Sequence, residues 1–287
     1  MSERSGASGG SGNVNEFESL SWRLGAWGTT FGYPRAVASW NGRIFWGGFT
    51  SLPRAIAYTY VDKLRAFSPS TADGTVTDAH GGYIEFKTDQ IHWLAEGANR
   101  LIVGAQEAVH SLGASSDDPF GPRNINRRKE TESGTTPVKP VRVSSSVVHT
   151  SSYGKNVRDL YYDPQSRSLT TPPFAAMSDH LFRKGVKEFA VQHSPNTVVW
   201  MLLHDGTLIS TTVDRYEKVI GFTRHDVGGT VVSMCVVPSL NGYDQLTLAV
   251  DRTVGGVLRR NLETLDAPFE DENKEDAFIV DCGSTYS

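Results

Sequence analysis

Cysteine is nearly absent: the 287 residues hold two, Cys235 and Cys282. Neither lies in a Cys-x-x-Cys or Cys/His spacing, which argues against a disulfide-stapled secreted scaffold and against a finger-type zinc site. Cys235, inside the apolar run VVSMCVV, reads as a small buried hydrophobe. Long apolar runs are missing too, and none approaches the roughly twenty residues that span a bilayer. The opening MSERSGASGGSGNVNE has no apolar stretch of the signal-peptide kind. Charge of one sign does not dominate. Against 32 Asp+Glu stand 28 Lys+Arg, a formal charge of −4, so nothing global attracts nucleic acid. HExxH and GxxxxGK[ST] are absent and no GxSxG stands at a strand-to-helix elbow, the single match GASGG lying in the Gly/Ser-rich opening, which removes the signatures of zinc hydrolases, serine-elbow hydrolases and phosphate-loop enzymes. The chain reads as a soluble protein that folds in a reducing compartment.

What is present is glycine and aromatic side chain, 28 glycines and 10% Phe, Trp and Tyr, the composition of many short strands joined by tight turns. GYPRAVASWNGRIFWGG reads as strand, turn, strand, with Asn41-Gly42 at the turn. NTVVWMLLHDGTLISTTVD repeats the form around Asp205-Gly206, and QIHWLAEG with RLIVGAQE makes a further hairpin around Ala98-Asn99. KNVRDLYYD alternates as a half-buried strand does. Related strands, RIFWGG, RLIVGAQ, SVVHTS, TVVWMLLHDG and QLTLAVDR, recur about every fifty residues. An interval of that order with about four strands per unit fits propeller blades, with a double-sheet sandwich as the alternative. FAAMSDHLFRKGVKEF is the one helical segment, with Ser178 placed to cap it and Gly185 to end it. The expected fold is all-β: residues 1–20 a flexible Gly/Ser-rich arm, 21–265 a β-propeller-like body with one short helix and a long polar excursion over 114–140, and 266–287 an acidic tail.

Chemistry is harder to find. The histidines His92, His149, His180, His193, His204 and His225 are scattered. Asp117-Asp118 and Glu270-Asp271-Glu272 are adjacent carboxylates in polar stretches, where solvated charge outweighs a glycosidase pair. Trp40, Trp46, Trp93 and Trp200 lie in or beside strands and read as packing residues. The basic run with Arg123, Arg127, Arg128 and Lys129 and the acidic run Glu270, Asp271 and Glu272 are candidate interface charges, able to pair with a neighbouring protein or subunit. The reading is of a non-enzyme.

The ordered series SWRLGAWG, GYPRAVASWNGRIFWGG, NINRRKETESGTTPVKPVRVSSSVVHTSSYGKNVRDLYYD, MSDHLFRKGVKEF…VVSMCVV and LDAPFEDENKEDAFIVDCGSTY resembles the tail nozzle proteins (tail tubular protein B) of short-tailed bacteriophages. That resemblance implies a structural virion protein: a homohexameric nozzle below the portal adaptor, serving as channel and gate for genome ejection. It implies as partners further copies of the chain, the head–tail adaptor, tail fibre or tailspike proteins, and double-stranded DNA in transit. It implies no cofactor, and places the protein in the virion tail after synthesis in the host bacterial cytoplasm. The rival reading is a carbohydrate-binding or glycan-degrading tail protein on a propeller scaffold.

Overall fold

The computed structural model describes residues 27–29, 32–86, 89–97, 99–115, 119–166, 168–214, 219–239 and 242–265. The chain divides into two compact units, Met1–Glu132 and Ser133–Ser287. The fold class is all-β, in antiparallel blade-like meanders with one short helix, as the repeat interval implies.

The first unit holds two four-stranded sheets in sequential order. One comprises β1 (Pro34–Trp40), β2 (Arg43–Phe49), β3 (Ala55–Tyr58) and β4 (Gly82–Glu85); the other β5 (Ile91–Glu96), β6 (Leu101–Ala105), β7 (Val109–Gly113) and β8 (Asn126–Lys129). Asn41 and Gly42 close the β1–β2 hairpin with φ of 49° and 67°, the two left-handed residues that a type I′ turn requires. Phe45, Ile56, Tyr58 and Ile84 of the first sheet share a buried cluster with Ile91, Leu94, Leu101, Val103 and Leu112 of the second. Gly104 makes room for the indole of Trp93, since a Cβ there would lie 2.0 Å from the ring.

Arg43 is the exception in this apolar setting. It is 1% exposed, yet among the described residues no carboxylate forms an ion pair with it. Its Nη1 donates to the carbonyls of Thr59 at 2.6 Å and His80 at 2.7 Å, and its Nη2 to those of Asp78 and, at 3.3 Å, Phe120. The guanidinium lies 5.4 Å from the Tyr58 ring centre and 5.8 Å from that of Phe120. Desolvation lowers its pKa, and desolvation pushes the Tyr58 phenol up to about 12. One side chain thus satisfies carbonyls from two long connections, before β4 and before β8, that have no ladder of their own.

The second unit holds three sheets in sequential order. They comprise β9 (Val141–Val143), β10 (Ser146–Thr150), β11 (Val157–Asp163) and β12 (Ser168–Thr170); β13 (Val186–Gln192), β14 (Val198–Leu203), β15 (Leu208–Asp214) and β16 (Val219–His225); and β17 (Thr230–Pro238), β18 (Asp244–Val254) and β19 (Val257–Thr264). The middle sheet is covered on both faces. Val199, Met201, Leu203 and Ile209 pack with Val143, Val148 and Val157 of the β9–β12 sheet. Trp200, Leu202 and Leu208 pack with Val231, Met234, Leu246, Leu248 and Val250 of the β17–β19 sheet. Alternation along β14 sends odd and even residues to different neighbours, so its apolar run is continuous.

Three expectations are corrected. The helical segment is a 3-10 helix, Ala176–Phe182, and Ser178 lies inside it with non-helical φ −122° and ψ 18° rather than capping it. Gly185 does end it, with φ +77° and its N–H donating to the Phe182 carbonyl at 2.9 Å. The excursion over 114–140 is not wholly irregular, because Asn126–Lys129 pairs with β7 as an edge strand. Cys235 is exposed; it alternates with the buried Met234 and faces away from the cluster. Trp93 and Trp200 are buried, as packing residues should be. No helix among the described residues is long and apolar enough to cross a membrane.

Replacing Arg43 by Met should strand its four carbonyls and destabilise the protein by about 3–5 kcal/mol, with Arg43→Lys intermediate because an ammonium has fewer donors and no planar fork. Urea unfolding measures both; equal stability of wild type and Arg43→Met would contradict the role assigned to this side chain.

Candidate functional site

The β14–β15 hairpin turns at Asp205-Gly206, and its register sets Leu202 opposite Leu208 and Trp200 opposite Ser210. β16 then sets Ser210 opposite Thr223 and Leu208 opposite His225. Trp200, Ser210 and His225 are therefore neighbours on one face of the sheet, the face turned toward β17–β19. The Ser210 Oγ and His225 Nε2 atoms are 2.8 Å apart. The His225 and Trp200 ring centres are 5.1 Å apart, tilted by 48°. The indole N–H donates to Gln192 Oε1 at 3.2 Å, which fixes the ring.

Of these groups Trp200 and His225 line a pocket of about 40 Å³, with Leu208, Leu246, Leu248 and Leu265 as apolar wall and Asp226, Glu263 and Thr264 as polar rim; Ser210 is outside the lining and acts on it through His225. Glu263 is held by Arg252 through two hydrogen bonds of 2.6 and 2.8 Å, so that its charge is balanced at the site. Asp226 Oδ1 accepts from the Gly228 N–H at 2.9 Å. The result is a small amphipathic recess with the His225 imidazole and Trp200 indole on one wall, aliphatic carbon on another and a polar rim.

A serine beside a histidine raises the question of nucleophilic catalysis. Ser210 lies within β15, between paired strands on both sides, whereas a serine nucleophile needs an exposed turn with free N–H groups around the oxyanion. The arrangement can exchange hydrogen bonds with a hydroxyl group and cover the adjoining C–H groups with an aromatic and aliphatic wall.

Three histidines, His80, His110 and His149, are buried. His110 Nε2 lies 2.6 Å from Asp89 Oδ2 within the first unit, beside the Phe86 ring at 5.0 Å, and Asp89 is buried with it. His149 is fully buried on β10. Its Nδ1–H donates to the Thr150 carbonyl at 2.9 Å and its Nε2 lies 3.2 Å from Thr171 Oγ1. Burial holds its pKa down to about 4, with the neighbouring Arg158 charge acting the same way. Among the described residues, no group of three His, Cys, Asp or Glu side chains could hold a metal ion.

The candidate interface charges lie elsewhere. Arg123 pairs with Asp78 at 2.8 Å and Lys129 with Glu132 at 2.9 Å. Arg127 donates to the Glu85 carbonyl at 2.8 Å, and Arg128 is an exposed residue of β8. The structure does not bring these four to the pocket; Glu270, Asp271 and Glu272, like Asp117 and Asp118, lie outside the described residues. The pocket itself was missed in the sequence. The Asp-Gly dipeptide marks the hairpin but not its register: the loop is the three residues His204, Asp205 and Gly206, whereas a two-residue turn would have set Thr211 opposite Trp200.

No protein-family model matches the chain, and no curated protein does. Solved structures similar to it include Kluyveromyces lactis Hsv2 (12% identity, TM-score 0.47, covering 84% of this chain and 62% of that one). They also include the β-propeller domain of Myceliophteria thermophila Cps50 (Swd1) (10%, 0.45, 83% and 74%) and human WBSCR16 (10%, 0.45, 80% and 66%). The chain spans less than two thirds of Hsv2, and at these scores none of the three says what this chain does. None is a phage tail protein. These findings overturn the resemblance to tail nozzle proteins. The homohexameric nozzle, the adaptor and tail fibre or tailspike partners, the DNA channel and the virion-tail location go with it. The stretches that carried the resemblance, WNGRIFWGG and TVVWMLLHDG among them, are turns and buried strands that a blade-like meander demands of any sequence.

Because the folded pKa of His149 lies below its unfolded value near 6.5, the unfolded chain binds the proton first. Stability from this group is therefore present above about pH 6.5 and lost as pH falls toward 4, by on the order of 3 kcal/mol in full. His149→Gln should flatten the stability–pH curve in that window by one proton; an unchanged slope in chemical denaturation across pH 4–6.5 would contradict the assignment.

Proposed function

We propose that the protein is a non-catalytic binding module that recognises carbohydrate at the Trp200–His225 pocket. The observation that carries this reading is an imidazole, bonded at 2.8 Å to the Ser210 hydroxyl, beside an aromatic and leucine wall in one recess. A sugar presents the complementary surface, hydroxyl groups alternating with C–H. Ionic ligands fit less well, because the Glu263 carboxylate is already neutralised by Arg252.

Size refines the reading. A recess of about 40 Å³ takes one exocyclic group, such as the hydroxymethyl of a hexose, while the ring stays outside. An enzyme would need to enclose the scissile bond and exclude water; a recess of this size encloses neither. Recognition of one terminal group implies weak affinity per site, with Kd of roughly 1 mM.

Saturation-transfer NMR against hexoses, N-acetylhexosamines and uronic acids should find a binder in the neutral class. His225→Ala and Ser210→Ala should each weaken it about tenfold or more, with urea unfolding confirming that both variants stay folded. Absence of glycan binding, or binding indifferent to both substitutions, would sink the reading. Release of reducing sugar by the wild type would refute its non-catalytic half.

A further inference from the structure

β19 is the outer strand of its sheet, and among the described residues no strand pairs with its far side. It is eight residues long, VLRRNLET, without the proline or bulge by which edge strands discourage pairing; its charges, Arg259, Arg260 and Glu263, are of both signs and so can pair as well as repel. Val257 is 55% exposed, Leu258 68%, Leu262 81% and the adjoining Leu265 40%. We infer that this edge pairs, antiparallel and about a two-fold axis, with the same edge of a second copy of the chain.

The backbone restricts how two such edges can meet. The Leu265 N–H donates to the Leu246 carbonyl at 2.8 Å, and the β18–β19 register runs without a shift from Thr264 to Val257. Odd-numbered residues of β19 therefore direct their N–H and C=O groups toward β18. The even-numbered residues, Leu258, Arg260, Leu262 and Thr264, direct theirs outward. A symmetric pairing must set even against even, so every axis that falls between two residues is excluded.

Side-chain charge selects among the axes that remain. An axis at Arg260 sets Arg260 against its own copy, a like-charge pair. An axis at Leu262 leaves Val257 without a partner in the strand. An axis at Asn261 sets Val257 opposite Leu265, Leu258 opposite Thr264, Arg259 opposite Glu263 and Arg260 opposite Leu262, each pair occurring twice. It uses the whole strand, contains no like-charge pair and forms two reciprocal ion pairs. Glu263 keeps its bonds to Arg252, since an ionised carboxylate accepts from more than one guanidinium. Such an interface is isologous and closes at two copies.

The register can be read by cross-linking the full chain in a Cys235→Ser, Cys282→Ser background. Asn261→Cys places the two sulfurs across a non-hydrogen-bonded pair, with Cα atoms about 4.5 Å apart, and should form a disulfide dimer under mild oxidation. Arg260→Cys leaves its two copies offset along the strands by two residues, about 7 Å, and should not. In sedimentation experiments Arg259→Glu, which sets two carboxylates face to face, should weaken the dimer at least tenfold, and the weakening should shrink with added salt. Three outcomes would overturn the inference. One is a dimer in which the two cysteine variants cross-link equally. Another is a monomer at all concentrations whose Leu258, Arg260, Leu262 and Thr264 amides resist hydrogen exchange, because another segment of the chain then holds the edge. The third is a monomer in which those amides exchange freely, because the edge then stays open.

Discussion

A strand with apolar residues on both faces cannot be left at a surface, and this requirement organises both units. Each four-stranded sheet is a sequential meander, so its second strand lies inside the sheet. In β6 and β10 every residue is buried, and in β14 all but the first. Such a strand is stable only where a neighbouring sheet covers each face, as at β14, and stacked sheets follow from that need. The recess at Trp200 and His225 is a local failure of the same packing. Toward the outer strands the sheets β13–β16 and β17–β19 carry polar residues on their facing sides, and the apolar seal gives way to Ser210, His225, Asp226 and Glu263.

Where the ladder is absent, another device takes over. The long connections before β4 and β8 offer carbonyls to which no strand N–H donates, and Arg43 donates to four of them from within an aromatic cluster. A hydrophobic residue at this position would fill the volume and leave those carbonyls unbonded. This is a polar group retained for the backbone it satisfies, and its charge finds compensation from carbonyl dipoles and ring faces instead of a carboxylate.

The parts of the fold written in short-range chemistry were legible in the sequence. RIFWGG, RLIVGAQ, SVVHTS, TVVWMLLHDG and QLTLAVDR correspond to β2, β6, β10, β14 and β18, the second strand of every sheet, and their spacing therefore reports the blade repeat. Asn41-Gly42 and Asp205-Gly206 form the expected turns for the same local reason. Asn126–Lys129 was read as loop because an edge strand with solvent on its side chains carries no apolar alternation. Cys235 was read as buried because a run such as VVSMCVV does not say which of its alternating faces is covered. The candidate site was not legible. The Asp205-Gly206 signature locates the β14–β15 hairpin, but its loop has three residues, and the one-residue difference decides whether Ser210 or Thr211 faces Trp200; His225 arrives from a third strand whose register no turn signature sets. The family resemblance failed because it rested on those same turns and buried strands, which report the fold and carry no trace of a ligand or a partner.

The central claim is that a hydroxylated ligand is held in the recess lined by Trp200 and His225. The most direct measurement is nitrogen-detected NMR of the His225 imidazole and the Trp200 indole N–H during titration with a methyl glycoside up to about 10 mM. Saturable shifts of His225 Nε2 and of the Trp200 indole signal, with the exposed imidazole of His204 unmoved, are the expected result. Silent His225 and Trp200 signals while the glycoside perturbs residues elsewhere, or perturbs none, would contradict the account.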